Sequence, residues 1–215
     1  MDSDAIFARC ADLRRDTAEF VESLDEQQLG TQSLCGQWDV RTVAAHLTLL
    51  ITASKREFIL AMLRSRGDFD RANDTLSTRR ATAPVATTVK TLRERASSRA
   101  VPPGGGPKAP FTDLLVHNGD MRLPLGLPFE PDPADLAVAL AFVAGAPRGF
   151  VAKNRLDGIR LAPDDVDGAW GSGGDLTGRG ADILMLVSGR HSALDRVGGS
   201  GKDVLAARLL ASRTR

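Results

Sequence analysis

The chain has few cysteines, few lysines and no long apolar run, and each shortage excludes a class of protein. Cys10 and Cys35 are the only cysteines, and because neither belongs to a CxxC pair they make no disulfide framework. The longest apolar run, residues 136–144, is much too short to span a membrane. The acidic first four residues do not resemble a signal peptide. We therefore expect a reduced, cytoplasmic protein with no membrane partner.

Net charge is also scarce, since 28 basic and 27 acidic residues leave a formal net charge of +1. Only five of the basic residues are lysines, so the positive charge is almost entirely arginine. This balance gives no electrostatic reason to expect nucleic acid as a partner. An apolar fraction of 42% is ordinary for a globular protein, and 215 residues suffice for one large domain or two small ones.

Apolar residues recur at helical spacing over the first two-thirds of the chain. The five expected helices begin near Ile6, Asp39, Pro84, Phe111 and Asp132. The second is expected to reach about Arg66, and the polar stretch 67–82 after it is expected to be a loop. Helices with one apolar side predict an antiparallel four-helix bundle, in which ligand sites form between facing helices.

The pattern changes after about Leu156, where short alternating segments and glycines replace the helical spacing. The alternation at residues 159–161 predicts a strand, and residues 182–187 and 202–210 predict two helices. We therefore expect a mainly α protein with two domains. The bundle would cover residues 1–152, and a small α+β domain of two or three strands and two helices would cover residues 153–215.

Two of the three histidines are placed where a metal site needs them. His117 follows Asp113 by four residues, which puts a carboxylate and an imidazole on one face of a helix, about one turn apart. His46 belongs to a second predicted helix. Three such ligands leave a coordination position open, as a catalytic divalent metal requires.

Each of these residues also has a purely structural interpretation. His46 borders the apolar face of its helix and could be a core histidine that is hydrogen-bonded to a carbonyl. Asp113 and His117 could be an exposed ion pair worth a few tenths of a kcal/mol, although the apolar residues around them count against a solvated helix. Asp120 lies one turn beyond His117, where its carboxylate could accept the second ring N–H of a ligating histidine.

Three further residues are assigned structural roles: two that precede the His46 helix in the sequence, and the third histidine. Cys35 precedes the His46 helix and could approach the site, but nothing near it in the sequence would activate its thiol. Trp38 is expected to fill a packing gap, and His191, which follows a glycine-arginine pair, is expected at the surface.

Two segments resemble a known family. Residues 36–47 (GQWDVRTVAAHL) and residues 113–126 (DLLVHNGDMRLPLG) resemble the two metal-site stretches of the mycothiol-dependent maleylpyruvate isomerase family. Residues 158–170 and 179–190 are similar, more loosely, to the small domain that follows in that family. The resemblance covers nearly the whole chain in the expected order.

The resemblance implies a DinB-like four-helix bundle that binds a divalent metal, usually zinc, through His46, Asp113 and His117. It also implies mycothiol as a thiol cosubstrate, either for isomerising maleylpyruvate or for S-transfer to another electrophile. One position departs from the family pattern, because Asp113 stands where the isomerase carries glutamate. Aspartate is one methylene shorter, so the metal would lie closer to the helix backbone.

We therefore expect a metal-dependent enzyme whose partners are a low-molecular-weight thiol and a small electrophile. Arg190 is our candidate catalytic residue for holding an anionic substrate group, because its guanidinium binds carboxylates in a bidentate fork. Two alternatives stay open: a metal-assisted hydrolase, in which the same ligands activate water, and a non-catalytic DinB-like binding protein. Bundles of this kind often pair through a helix face, which allows a homodimer.

Overall fold

The computed structural model describes residues 1–102, 105–147 and 150–213, and these form two compact units, Met1–Pro128 and Phe129–Arg215. The boundary expected near residue 152 differs from this division. The helix Pro133–Ala144, which the sequence assigned to the bundle, packs instead against the helix Gly180–Val187 of the second unit.

Over its described residues, the first unit consists of helices joined by turns and loops, with one isolated β-bridge between Gln32 and Asp39. Its elements are α1 (Ser3–Glu22), α2 (Glu26–Leu29), α3 (Val40–His46), α4 (Leu49–Thr52), α5 (Lys55–Arg64), α6 (Phe69–Ala81), α7 (Val85–Glu94), α8 (Lys108–Arg122) and a 3₁₀ turn (Leu123–Leu125). They make the four arms of an antiparallel bundle: α1, α3 to α5, α6 with α7, and α8. α1 packs on α7 and α8, while α3 packs on α6 and α8.

A buried arginine ties the first arm to the third. Arg14 is 2% exposed, and its Nη1 donates to the backbone oxygens of Ala96 at 2.7 Å and Ser98 at 2.9 Å. Burial lowers the pKa of Arg14, and these two acceptors compensate the buried charge. Asn118 makes a similar link from α8 to α1, because its Nδ2 donates to Thr17 Oγ1 at 2.9 Å.

The second arm is not the continuous helix that the sequence predicts. Thr48 Oγ1 donates to the carbonyl of Ala45, and Thr52 Oγ1 donates to that of Thr48, so side chains compete for the backbone acceptors. Ala53 is extended, and the side chain of Ser54 then accepts from Glu57 N at 3.1 Å to begin a new helix. Hydroxyl side chains therefore divide this arm into three short helices.

The prediction of a loop over residues 67–82 is wrong, because α6 occupies most of it. Asp68 caps the helix by accepting from Arg71 N at 3.0 Å. Ala72 and Leu76 lie one turn apart and pack into a small core with residues of α4 and α5. Apart from these two, the helix has only Phe69 and Ala81 as apolar residues, so the 3.6-residue periodicity is weak in the sequence.

The second unit consists of α9 (Pro133–Ala144), β1 (Ile159–Pro163), β2 (Trp170–Gly171), β3 (Gly174–Gly178), α10 (Gly180–Val187), a 3₁₀ helix (His191–Arg196), β4 (Val197–Gly198) and α11 (Lys202–Arg213). The strand order is β2-β1-β3-β4, with β1 and β3 parallel and the other pairs antiparallel. The sheet has one strand more than the upper number expected. Among the described residues, no helix combines the length and the apolar character that crossing a membrane needs.

Candidate metal centre

Two helices present the predicted ligands. Asp39 caps α3 by accepting from Thr42 N at 2.7 Å, and His46 is the last residue of that helix. α8 is buried along most of its length and carries Asp113, His117 and Asp120 at spacings of four and three residues. Since α3 packs on α8, the end of one helix faces the middle of the other.

The structure brings the three predicted ligands together. His46 Nε2 lies 3.6 Å from Asp113 Oδ2, and His117 Nε2 lies 3.4 Å from Asp113 Oδ1. All three candidate ligand atoms lie within 4.8 Å of one another. The Asp113 side chain is 33% exposed, against 12% and 9% for the two histidines, so the carboxylate is the part of the cluster that solvent reaches.

These separations suit a metal better than they suit direct hydrogen bonds. An N–H···O bond has a donor–acceptor distance of about 2.7–3.2 Å, shorter than either contact. Ligand atoms about 2.1 Å from a tetrahedral zinc are about 3.4 Å from one another. The donor set of two imidazoles and a carboxylate is also one that zinc accepts. The residues present therefore fit a divalent cation, although metal binding itself stays a prediction.

Hydrogen bonds orient both rings with Nε2 towards the cluster. Ser77 Oγ donates to the carbonyl of Asn73 at 2.8 Å, so it can only accept from His46 Nδ1, 3.1 Å away. This assigns the proton of neutral His46 to Nδ1 and leaves a lone pair on Nε2. His117 Nδ1 donates to Asp120 Oδ2 at 2.8 Å, which confirms the contact predicted from the spacing. Both histidines thus have the tautomer that a ligand needs.

The electrostatics of the cluster also favour a cation. Burial lowers the pKa of His46, and Asp113 opposes this only in part. Burial alone would raise the pKa of Asp113, but the neighbouring His117 and His46 lower it below its usual range. Burial would lower the pKa of His117, yet Asp113, together with hydrogen bonds to Asp113, Asp120 and Cys35, raises it well above the ordinary value. Without a metal, therefore, a proton on His117 supplies the positive charge that the carboxylates require.

Three residues near the histidines were not identified as part of the site from the sequence. Ser77 was hidden because α6 was expected to be a loop. Trp38, expected only to fill space, has its ring centroid 5.0 Å from that of His46 and 6.4 Å from that of His117. Its Nε1 donates to Asp74 Oδ1 at 2.8 Å, so α6 also fixes the indole. The capping residue Asp68 was the one local signal that could have indicated the start of this helix.

Cys35 does approach the cluster, on the far side of His117 from Asp113. It forms a second group of candidate ligand atoms with His117 and Asp120, and it contributes to raising the pKa of His117. Its thiol is not in a disulfide and is half-buried. Cys35 therefore lies beside His117 and Asp120, next to the candidate ligands.

Arg190, the candidate catalytic residue, lies in the second unit just before the 3₁₀ helix. Its Nη1 donates to the carbonyl of Ser188 at 2.6 Å. Burial lowers the pKa of Arg155, and the nearby positive charge of Arg190 lowers it further. Two guanidinium groups therefore share this part of the second unit. His191, expected at the surface, is half-buried at the start of the same 3₁₀ helix.

Comparison with known proteins gives a family match and two structural matches. Residues 10–115 match the family described as the mycothiol maleylpyruvate isomerase N-terminal domain. The chain is similar to the crystal structure of the mycothiol-dependent maleylpyruvate isomerase, with a TM-score of 0.61, 14% identity and 94% of each chain covered. It is also similar to a mutant of that isomerase with one histidine replaced by alanine, with a TM-score of 0.62, 13% identity and 94% of each chain covered. No curated protein matches the chain. At these identities the structural likeness shows the fold, which is the predicted DinB-like bundle followed by a small α+β unit.

Proposed function

We propose that this chain, whose residues 10–115 belong to the mycothiol maleylpyruvate isomerase N-terminal domain family, is a metal-dependent enzyme that uses a mycothiol-like thiol on a small electrophile. The reaction is either isomerisation of the electrophile or S-transfer to it. The observation that carries the proposal is the geometry of His46, Asp113 and His117. Their contacts of 3.4 and 3.6 Å and their ring orientations match the needs of a divalent cation such as zinc.

A bound divalent cation lowers the pKa of a thiol, which is about 8.5 in water, and so supplies a thiolate at neutral pH. The residues of the chain prepare the place for it. Asp120 and Ser77 hold the two ring N–H groups, so that both Nε2 lone pairs face the same point. The indole of Trp38 lies beside the two imidazoles, with its ring centroid 5.0 Å from that of His46 and 6.4 Å from that of His117.

In the isomerisation, the thiol sulfur forms a C–S bond to one carbon of an activated C=C bond, and the π electrons move into the conjugated carbonyl. Rotation about the new single bond follows. The electrons then return, the C–S bond breaks, and the thiol is regenerated. In an S-transfer, a proton adds instead to the neighbouring carbon, and the conjugate leaves with the thiol attached.

An anionic substrate also needs a cationic anchor, and Arg190 is the proposed one. The proximity of Arg155 supports this role, because two guanidinium groups that repel each other are stabilised when a carboxylate binds both. Contacts with this arginine pair would then lower the KM for electrophiles that carry a carboxylate, and Arg190→Gln would raise that KM.

The test is to incubate zinc-loaded protein with maleylpyruvate, with and without mycothiol, and to follow formation of fumarylpyruvate and of thiol conjugates. We expect product only when metal and thiol are both present. Asp113→Asn should lose the activity, while Asp12→Asn, which changes an exposed carboxylate of α1, should keep it. Formation of fumarylpyruvate without thiol would contradict the role of the thiol, and cleavage of maleylpyruvate by water without thiol would replace the proposal with a hydrolase. No product or conjugate with maleylpyruvate or a panel of activated alkenes would contradict an enzymatic role.

A further inference from the structure

A second candidate site lies between α5 and α6. The two helices border an open cavity of about 670 Å³, a size typical of small-molecule sites. Four arginines line it: Arg56 and Arg64 from α5, and Arg71 and Arg79 from α6. No residue of the candidate metal centre belongs to this lining.

The arginines form two pairs, one at each end of the cavity. α5 and α6 are antiparallel neighbours joined by a short turn, as the contact between Glu57 near the start of α5 and Arg80 near the end of α6 shows. Arg64 and Arg71 therefore lie at the turn and form the turn pair. Arg56 and Arg79 lie at the other end and form the open-end pair. Eight residues separate the arginines within each helix, which corresponds to about 12 Å.

The middle of the cavity is different. Leu60 from α5 and Thr75 from α6 lie between the two pairs, and Leu60 is 49% exposed. An exposed leucine between cationic ends favours a ligand whose own centre is apolar.

The charge of the two pairs is not neutralised by the protein. Over the described residues, none of the four guanidinium groups forms an ion pair or a side-chain hydrogen bond. The carboxylate of Glu57 also lines the cavity, but Arg80 holds it with contacts of 3.2 and 3.3 Å. Arginine presents a planar fork that matches carboxylate and phosphate oxygens, so exposed guanidinium groups gathered around one cavity favour an anionic ligand.

The cavity is separate from the metal centre along α6 itself. Arg71, Thr75 and Arg79 recur every four residues and share one face of the helix. Asp74 and Ser77, which contact Trp38 and His46, lie on another face. The chemistry proposed for the metal centre therefore does not account for these arginines.

We propose that this groove binds an elongated organic dianion, with one anionic group at the turn pair, one at the open-end pair and an apolar body over Leu60. The anionic groups are carboxylates or phosphates, which the arginine fork recognises in the same way. This site is independent of the proposed catalytic reaction.

The test uses decanedioate, whose extended chain separates two carboxylates by a distance comparable to that between the pairs. Calorimetric titration should show saturable binding that is tighter than that of decanoate or succinate, which lack the second charge or the spacing. The variant Arg64→Gln/Arg71→Gln should weaken binding about tenfold or more, because hydrogen bonds to charged groups are lost. Comparing decanedioate with its bisphosphonate analogue identifies the preferred anionic group.

The matched control is Arg15→Gln/Arg93→Gln, which removes the same charge from exposed positions of α1 and α7. It should bind decanedioate as the unmodified protein does. Equal weakening in both double variants would overturn the proposal, because it would show a general charge effect. Equal binding of decanoate and decanedioate would overturn it as well, since the second pair would then have no role. Binding to phosphatidylglycerol vesicles without any saturable binding of decanedioate would assign the surface to a membrane instead.

Discussion

The hydrogen bond between His117 and Asp120 makes a quantitative prediction about metal affinity. Replacing Asp120 with asparagine keeps the shape of the side chain but removes its charge. The bond is 2.8 Å long and both residues are buried, at 7% and 0% exposure, so solvent screens it little. A hydrogen bond to a charged group contributes about 1.5–3 kcal/mol, and one between neutral groups about 0.5–1.5 kcal/mol. The loss of about 1–1.5 kcal/mol, together with a less firmly held ring, predicts a zinc affinity about 10–100-fold lower.

Ser77→Ala provides the comparison, because it removes the corresponding contact of the other ring. That contact is neutral and longer, at 3.1 Å, so its loss should lower zinc affinity by less than about tenfold. Both affinities can be measured by competition with a chromophoric chelator, after thermal unfolding has shown that the variants are folded. If Asp120→Asn binds zinc as tightly as the unmodified protein, or if Ser77→Ala is the weaker binder, the carboxylate does not orient the ligand and the reasoning fails.

Three further predictions concern protonation and stability. Metal binding should release about one proton near neutral pH, because the raised pKa of His117 leaves that ring protonated without metal, and metal affinity should rise with pH until this pKa is passed. Calorimetry in buffers of different ionisation enthalpy measures the number of protons released. Metal binding without proton release would contradict the prediction. Arg14→Met should cost about 2–4 kcal/mol in the free energy of unfolding, since the buried carbonyl of Ala96 and the half-buried carbonyl of Ser98 lose their donor. Arg15→Met, on the exposed side of α1, should change the free energy of unfolding by less than about 0.5 kcal/mol. Thr112 Oγ1 is buried and has no hydrogen-bond partner among the described residues. Thr112→Val should therefore leave the free energy of unfolding unchanged or raise it by about 1 kcal/mol. A clear loss of stability in denaturant unfolding would contradict this and would indicate a hydrogen bond to the hydroxyl.

The sequence predicted the cluster of candidate metal ligands because the signals of these residues are local. The sequence predicts a short helix here, whereas α8 extends from Lys108 to Arg122. The spacing of four residues nevertheless puts Asp113 and His117 on one face of the helix, whatever its length. The apolar neighbours in the same segment also indicated burial, and the structure places His117 at 7% exposure. Asp120 was predictable for the same reason, since it is one turn further along.

The parts that the sequence did not reveal depend on tertiary contacts. α6 has only four apolar residues in thirteen and buries just two of them, Ala72 and Leu76, so its helical state depends on packing against α3 and α5 rather than on a strong periodicity. Because that helix was missed, Ser77 could not be proposed as the partner of His46. The continuous second helix was overpredicted because Thr48 and Thr52 are compatible with a helix until their hydroxyls take backbone acceptors.

The expected domain boundary near residue 152 and the division into compact units differ for a related reason. α9 has apolar residues on most sides, which suits a bundle helix as well as one that packs on α10. The structure instead begins the second unit just after Gly126, whose φ of +68° reverses the chain after the 3₁₀ turn. A glycine at a helix end is a frequent signal, and nothing in the local sequence marks this one as a boundary between units.

The most direct test of the account is the metal content of the protein, purified without a histidine tag and measured by elemental analysis beside two variants. The unmodified protein should hold close to one equivalent of zinc or another divalent metal. His46→Ala should lose it, and His191→Ala, which changes the one histidine outside the cluster, should retain it. Equal metal content in all three proteins, or no metal even after reconstitution with zinc, would contradict the assignment of His46, Asp113 and His117 as the ligands.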